Sequence, residues 1–447
     1  MKSETQKIKV AILGGGITGS SIFYTLAKYT NVKSIVLIEK CEEIGQVNSR
    51  ENNNSQTLHF GDIEANYSFE KAAKTKVASE MVVSYLGTLS ENEKEIYKKS
   101  FKMLLAVGKK EIKTLEERFL QFKKLFPELK LITADEIEKI EPLIAKGRKK
   151  SEKIAACYSD NGYVVDFGKL AKNLTSRACA ISPTTNQLFL NTKVIKISKK
   201  DQGFLIETNK KTFFAETVVV AMCSHSLMFA KSLGYGKEFS ILPVGGNFYT
   251  SSRKVLNAKV YTMQSDKLPF AGVHGDPNIH NESETRFGPT ANVMPFLERN
   301  DLKTFTDFIK SSFYNFSSIK AFAKVLSEKT LFTYLAKSLI YEVPFLGPRT
   351  YAKLCQKIIP TLKYEDFKNG KSKAGIRPQL INIETQKLQM GEVEIEGDKI
   401  LFNITPSPGA TACFKNAKES VKKTIRFFDG AYSFDEKSFE KDFSKTN

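Results

Sequence analysis

The hydrophobic period of the chain changes several times along its length. Residues 9–13 are a short continuous apolar run, which predicts a buried parallel strand. From Ile17 to Tyr29 the apolar residues Ile22, Phe23, Leu26 and Tyr29 recur at helical spacing. Residues 34–38 predict a second buried strand that ends on Glu39. A polar stretch then breaks the pattern. Between Gly45 and Ser68, Asn and Ser crowd together, interrupted only by Leu58, Phe60, Ile63 and Tyr67, and a helical pattern resumes near Glu70. A loop of that length inside a domain is usually functional or disordered, and the interspersed apolar residues argue against disorder.

Farther along, residues 187–226 read as short strands with turns at 199–203 and 209–211, followed by a buried strand over 217–221. This is a β-meander placed between the first βαβ unit and a C-terminal helix. Residues 243–252 and 259–266 read as paired strands. Residues 301–343 are helical by pattern. Leu302, Phe305, Ile309, Phe313 and Phe316 form one stripe, and Lys303, Lys310, Lys320, Lys324 and Lys337 supply the polar side. Such a stripe ordinarily packs on a core. The second reading is a Phe- and Lys-rich face lying on an anionic leaflet. Residues 401–428 give a strand, a loop stiffened by Pro406, Pro408 and Gly409, and an amphipathic helix from Thr411 to about Phe428. Residues 435–447 read as a frayed, charged tail.

Composition changes this picture in a few places. A chain of 447 residues is too long for one ordinary core, so two domains, or one with a large insertion, are expected. Six cysteines are scattered with no C-x-x-C pair, which points away from zinc and disulfides and toward a reduced, intracellular chain. No His/Asp/Glu spacing resembles a metal site. No apolar run reaches the ~18 residues that cross a bilayer. The apolar N-terminal run is broken by three glycines, unlike a signal peptide. Net charge is +19, carried by 58 Lys and only ten Arg. An anionic membrane surface and simple lysine-rich codon usage explain it equally well. Nucleic acid does not, because no arginine-rich cluster or stacking motif is present. Where lysine is the default cation, an Arg in a Gly- or Pro-rich setting stands out for its planar fork.

Gly14, Gly16 and Gly19 give G-x-G-x-x-G between the first strand and the helix, and Glu39 lies 20 residues beyond Gly19. Gly14 permits the turn, Gly16 the approach of backbone to a pyrophosphate, and Gly19 the close packing of helix on strand. The helix N-terminus offers free N–H groups to the phosphates. Glu39 suits ribose hydroxyls and disfavours a 2′-phosphate. A Gly-rich turn alone would not place strand, helix, strand and acid in register. The motif leaves FAD and NAD open. The polar loop 45–68 and a second helix N-terminus near Thr411 favour a flavin, whose ring needs many donors and acceptors.

"NSQTLHFGDIEANYSFEKA", "SLGYGKEFSILPVGGNFY", "KVYTMQSDKLPFAGVHGDP", "TRFGPTANVMPFLERN", "KAGIRPQ" and "NITPSPGATAC" extend over nearly the whole chain. With them the sequence resembles FAD-dependent oxidoreductases of the D-amino-acid-oxidase type. More narrowly it resembles the malate:quinone oxidoreductase family in its short epsilonproteobacterial form. The resemblance implies an α/β fold: a Rossmann-type FAD-binding domain with a mixed-sheet substrate domain capped by helices. The FAD-binding part would be 1–85, 145–240 and 371–430, the substrate part 86–144 and 241–370, and 431–447 a flexible tail. FAD would be held by Gly14, Gly16, Gly19, Glu39, Lys40, Ser55, Gln56, Thr57, Val194, Ser407, Gly409, Ala410 and Thr411. Met222 and Cys223 depart from the family's Ala-Gly and add bulk near the cofactor.

The implied reaction, a step of the tricarboxylic acid cycle, is oxidation of L-malate to oxaloacetate with electrons passed to a membrane quinone. Hydride would leave malate C2 for flavin N5 while a His takes the hydroxyl proton. His274 is the first candidate and His59 the second, though His59 could line the ring through its backbone. Arg377 and Arg286 are candidate carboxylate clamps, unless Arg286 pairs with Glu284 or Glu282 on the surface. His225 and His280 are expected to be exposed. The enzyme would sit in the cytoplasm, peripheral to the inner face of the cytoplasmic membrane. Two alternatives stand: a dehydrogenase for another 2-hydroxy acid such as L-2-hydroxyglutarate, and a catalytically silent flavin-binding sensor.

Overall fold

Val10 and Ile12 of the first strand enter one hydrophobic core while Ala11 and Leu13 enter another, the period-2 signature of a strand covered on both faces. The computed structural model describes residues 5–264, 272–299, 301–367, 371–389, 391–406 and 408–444. In the first sheet β1 (Gln6–Leu13) runs parallel to both β2 (Ile35–Ile38) and β9 (Thr212–Val220). Also parallel are β6 (Asn186–Phe189) beside β2 and β20 (Ile400–Ile404) beside β9. β19 (Val393–Gly397) closes one edge antiparallel, and β7 (Val194–Lys200) and β8 (Gly203–Thr208) form the expected meander onto β9. Helices α1 (Ile17–Tyr29), α2 (Phe69–Leu86), α6 (Phe167–Ile181) and α12 (Cys413–Arg426) share the core on one face.

The second sheet is antiparallel: β15 (Asn292–Val293), β10 (Phe239–Gly245), β17 (Arg377–Asn382) and β18 (Lys387–Gln389), in that order. It packs on the opposite face of the first sheet, together with α7 (Ser224–Ser232), α8 (Phe305–Ser312), α9 (Phe316–Leu326) and α10 (Lys329–Ile340).

The third sheet has the order β16 (Lys371–Lys373), β11 (Asn247–Ser251), β14 (Thr285–Gly288), β13 (His274–Pro277), β12 (Lys259–Thr262), β3 (Tyr97–Val107), β5 (Ile154–Val165), β4 (Lys130–Ile132). Its flanks carry α3 (Lys109–Phe122), α4 (Ala134–Ile140), α5 (Pro142–Ala145) and α11 (Leu346–Cys355).

Four expectations change. β5, expected in the nucleotide-binding part, belongs to the third sheet because both of its edges are taken by β3 and β4. The two segments at 243–252 and 259–266 do not pair with each other; β14 and β13 lie between β11 and β12. The expected tail instead folds as α13 (Glu436–Phe443). Asp435 caps it, Phe439 and Phe443 bury one turn apart against Tyr29 and Phe414, and Lys28 and Tyr29 both bond Asp442 at 2.8 Å. Its charges hid a two-residue apolar stripe.

The stripe on the helical insertion also faces the other way. Leu302, Phe305, Ile309 and Phe316 are exposed, and only Phe313 turns inward, against Phe308 and Phe322. α8 ends at Ser312 and α9 starts at Phe316, so the stripe spans two helices rather than one. Ser312 takes the inner face because β10 satisfies it: the Ser312 hydroxyl donates to the Ile241 carbonyl and the Ser240 hydroxyl to the Ser312 carbonyl, both at 2.7 Å.

Candidate active site

A cavity of about 660 Å³ lies between the first and third sheets, within the range typical of ligand sites. Its nucleotide end is built by the β1–α1 turn. Gly14 has φ +106°, and a Cβ there would stand 2.5 Å from the Ala221 carbonyl oxygen. A Cβ on Gly19 would overlap the Gly14 carbonyl oxygen. Backbone therefore fills the space that side chains would need. Gly16 is the N-cap of α1, with no side-chain cap, and Gly16, Ile17 and Thr18 border the cavity. The Ile17 N–H donates to Ser49 Oγ at 2.9 Å. Glu39 lies at the end of β2, and its carboxylate accepts from the N–H groups of Gly15 (2.6 Å) and Cys41 (2.8 Å).

The polar loop forms one wall. Its asparagines serve the loop itself. The Asn53 amide donates to the Val47 carbonyl at 2.6 Å, and Asn54 to the carbonyls of Asn48, Ser49 and Arg50 at 2.9–3.2 Å. Asn48 ties the loop to the second sheet through the Ile376 carbonyl at 2.8 Å. These bonds fix a long irregular segment without a core of its own. Asn48 also donates to Cys223 Sγ at 3.2 Å, and Met222 and Cys223 both border the cavity, where burial raises the Cys223 thiol pKa.

Of the remaining cofactor candidates, Lys40, Ser55, Thr57, Val194, Gly409, Ala410 and Thr411 line the cavity. The Lys40 ammonium turns to Glu298, in the loop that follows β15. Gln56 does not line it. Its backbone sits in the left-handed region at φ +56°, and its side chain turns away from the cavity, where its amide bonds Glu51 and Ile279 at 3.2–3.3 Å. Gly19 lies behind the turn, where its role is packing. Ser407 lies outside the described residues. α12 starts at Cys413, two residues later than expected, and the loop ahead of it is drawn in by Thr411, whose Oγ1 accepts from the His59 N–H at 3.1 Å. Its N-cap, Ala412, has no side-chain cap, giving the cavity a second helix N-terminus.

The other end is a cavity-lining row of the third sheet. In register, Tyr261 stands opposite His274, which stands opposite Gly288. Tyr261 stacks on the His274 ring at 4.7 Å between centroids. The next row back joins Lys259, Asp276 and Arg286: Asp276 contacts the Lys259 ammonium and lies opposite Arg286 in register. His274 Nδ1 is 2.8 Å from Asp276 Oδ2, which leaves Nε2 for the cavity. Burial lowers the His274 pKa below its usual 6.5, and Asp276 offsets this only in part. Burial opposes ionisation of Asp276, but His274 and Lys259 outweigh it and hold the carboxyl below its ordinary range.

Arg377 begins β17, lines the cavity and is paired with no carboxylate among the described residues. Burial lowers its pKa, partly countered by Tyr334 and Tyr261, yet a guanidinium stays charged. Arg286 is a correction on both counts. It neither lines the cavity nor reaches the surface, being 1% exposed. It sits in the rear row, beneath the Glu51 and Asn54 carbonyls at 3.4–3.5 Å. His59 lines the cavity, with Nδ1 2.8 Å from Glu64 Oε1. Burial would raise the Glu64 pKa, but His59 and Lys102 bring it down to about 2. His225 is not exposed. It borders the nucleotide end 3.7 Å from Asp307, and burial pushes its pKa down to about 4. His280 is exposed, with Nε2 2.8 Å from Asp166.

Asp276, Lys259, Tyr261 and Glu64 were missed by the sequence reading. Asp276 had a signal: two residues from His274 in a strand, it must share that face.

The residues present fit FAD: a glycine turn at an uncapped helix end, an acid at the ribose position, a polar wall, and a second uncapped helix at the far end. The sequence model for malate:quinone oxidoreductase (Mqo) matches residues 6–428. A probable malate:quinone oxidoreductase of Campylobacter jejuni is 38% identical over 445 residues, covering 97% of this chain and 99% of that one. A malate:quinone oxidoreductase of Helicobacter pylori is 36% identical over 449 residues, covering 98% of each. Among solved structures, the L-α-glycerophosphate oxidase of Mycoplasma pneumoniae with FAD bound superposes with a TM-score of 0.68 at 19% identity, over 96% of this chain and 97% of that one. With its cavity at the junction of a dinucleotide-type sheet and a mixed sheet, and with relatives that match it nearly end to end, the chain belongs to the malate:quinone oxidoreductase family.

Proposed function

We propose that the chain oxidises L-malate to oxaloacetate with FAD and passes the electrons to a membrane quinone. The observation that carries this reading is that Arg377, paired with no carboxylate among the described residues, lines the same cavity as His274, with its Asp276 partner, and the glycine turn. Arg377 holds one malate carboxylate by its two-pronged fork. Ser55 and His59, which line the same cavity, are available to the second carboxylate. His274 is neutral at pH 7 because burial depresses its pKa, so Nε2 is ready to accept the C2 hydroxyl proton. Asp276 fixes the tautomer and stabilises the imidazolium that results. Gly14, Gly16 and Glu39 would hold the adenosine diphosphate portion of FAD, and Ser55, Thr57, Ala410 and Thr411 the ring. When bound, FAD supplies the acceptor for the hydrogen and the two electrons that leave C2.

A quinone is a lipid, so the enzyme must meet a bilayer. Among the described residues no helix is long and apolar enough to cross one. With a net charge of +19, an anionic leaflet is the fitting surface, and the enzyme is peripheral to the inner face of the cytoplasmic membrane. Anaerobic addition of L-malate to the FAD-loaded protein should bleach absorbance near ~450 nm. Bleaching by L-2-hydroxyglutarate and not L-malate would move the assignment to that acid. No bleaching by either would leave a silent flavin protein.

A further inference from the structure

Residues 302–346 hold twelve of the eighteen large apolar side chains exposed among the described residues. Phe316 is 80% exposed, Phe332 62% and Phe345 87%. Phe345 sits at φ +62° on the tip between α10 and α11, flanked by Pro344 and the exposed Leu346. Each helix of this segment has a separate, buried inner face: Phe308 and Ser312 on α8, Ala321 and Phe322 on α9, Leu331 and Leu335 on α10. The exposed residues are therefore surplus to the core. A patch of this kind marks an interaction surface.

Charge identifies what covers it. The same segment carries Lys303, Lys310, Lys320, Lys324, Lys329 and Lys337. Its three acids have other work. Asp307 borders the cavity, Glu328 caps α10 by accepting from the Leu331 N–H at 2.7 Å, and Glu342 accepts from Thr290 and Asn292 at 2.8 and 3.1 Å. A second copy of this chain would set lysines against lysines across a two-fold contact. An anionic bilayer meets both the aromatic and the cationic demand.

We infer that this face seats the protein on an anionic lipid bilayer, with Phe316, Phe332 and Phe345 entering the interface and the lysines meeting headgroup phosphates. The inference rests on the proposed quinone acceptor, which resides in that bilayer. α10 shows how the two connect. Phe332, Leu339 and Ile340 point outward, while Tyr334 packs inward against the core of the second sheet, whose strand β17 begins with Arg377. One helix diameter, about 10 Å, then separates the lipid from the neighbourhood of the candidate substrate clamp.

The test is co-sedimentation of the FAD-loaded full chain with vesicles of phosphatidylcholine alone or mixed with phosphatidylglycerol. Binding should require the anionic lipid and weaken in 1 M salt, where the Debye length is about 3 Å. The F316S/F332S/F345S variant should bind roughly a hundredfold more weakly, with malate-driven flavin bleaching intact. Leu120→Ser, which removes an exposed leucine on α3, should change nothing. Unchanged binding by the triple variant, or equal binding to neutral vesicles, overturns the inference. So does a wild-type dimer that ignores vesicles and dissociates in the triple variant. If the wild type bleaches with L-malate yet binds no vesicle, the docking face fails and the reaction stands.

Discussion

Asp276→Asn isolates the electrostatic work of the active site from its shape. The two side chains are nearly isosteric, so packing around His274 and Tyr261 is kept. What is lost is a charge 2.8 Å from His274 Nδ1 and in contact with the Lys259 ammonium. Three effects follow. An amide can offer N–H to Nδ1, which favours the tautomer protonated on Nε2 and removes the base; such a loss costs about 10²–10⁴ in turnover. Lys259, 3% exposed, is left as an uncompensated buried cation, at a cost of about 3–5 kcal/mol in stability. The His274 pKa, already lowered by burial, loses the carboxylate that raises it, so the acidic limb of kcat/KM moves to lower pH while the plateau falls. Anaerobic stopped-flow reduction by L-malate across about pH 5–9 reads the first and third effects, and urea unfolding reads the second. Adding Lys259→Met should restore most of the stability and none of the rate. A single variant within about threefold of the wild-type rate would refute the assignment of Asp276 as the residue that positions the base.

Arg377→Lys keeps the charge but loses the fork, and kcat/KM for L-malate should fall by about 30–150-fold, mostly through KM, in steady-state assays with a soluble quinone analogue. Gly14→Ala meets both a φ of +106° and the Ala221 carbonyl, so the variant should purify with little or no flavin, as its absorbance spectrum would report. Glu64 falls from 4.5 to about 2 on folding, so its stabilisation is full above pH 4.5 and is lost as pH drops toward 2. It amounts to about 3 kcal/mol, and Glu64→Gln should abolish that component of acid sensitivity in denaturant titrations. Phe439→Ala should cost about 3–5 kcal/mol, against the near-zero effect of truncating a free tail.

The βαβ start was legible almost residue by residue, because turn, helix and ribose acid are encoded locally. α1 occupies Ile17–Tyr29 as its periodicity predicts. The site at the other end was only half legible. His274 and Arg377 announce themselves by setting, but the Lys259–Asp276–Arg286 row depends on three strands meeting in register, which no local pattern carries. Gln56 was misread because its backbone enters the left-handed region at φ +56°, which turns its side chain out of the cavity and which no local pattern announces. The helical stripe was misread because the helix breaks at Phe313 and because Phe308 and the hydrogen-bonded Ser312, which lie outside the stripe, are the residues that face the core.

One cavity, one flavin and one histidine base come together in the reduction of the FAD-loaded protein by L-malate and by malate deuterated at C2. The wild type should bleach in a phase that deuterium slows several-fold, and His274→Ala should bleach at least about a hundredfold more slowly while keeping its flavin. Bleaching of His274→Ala at the wild-type rate, or a wild-type protein that takes up no FAD at all, would contradict it.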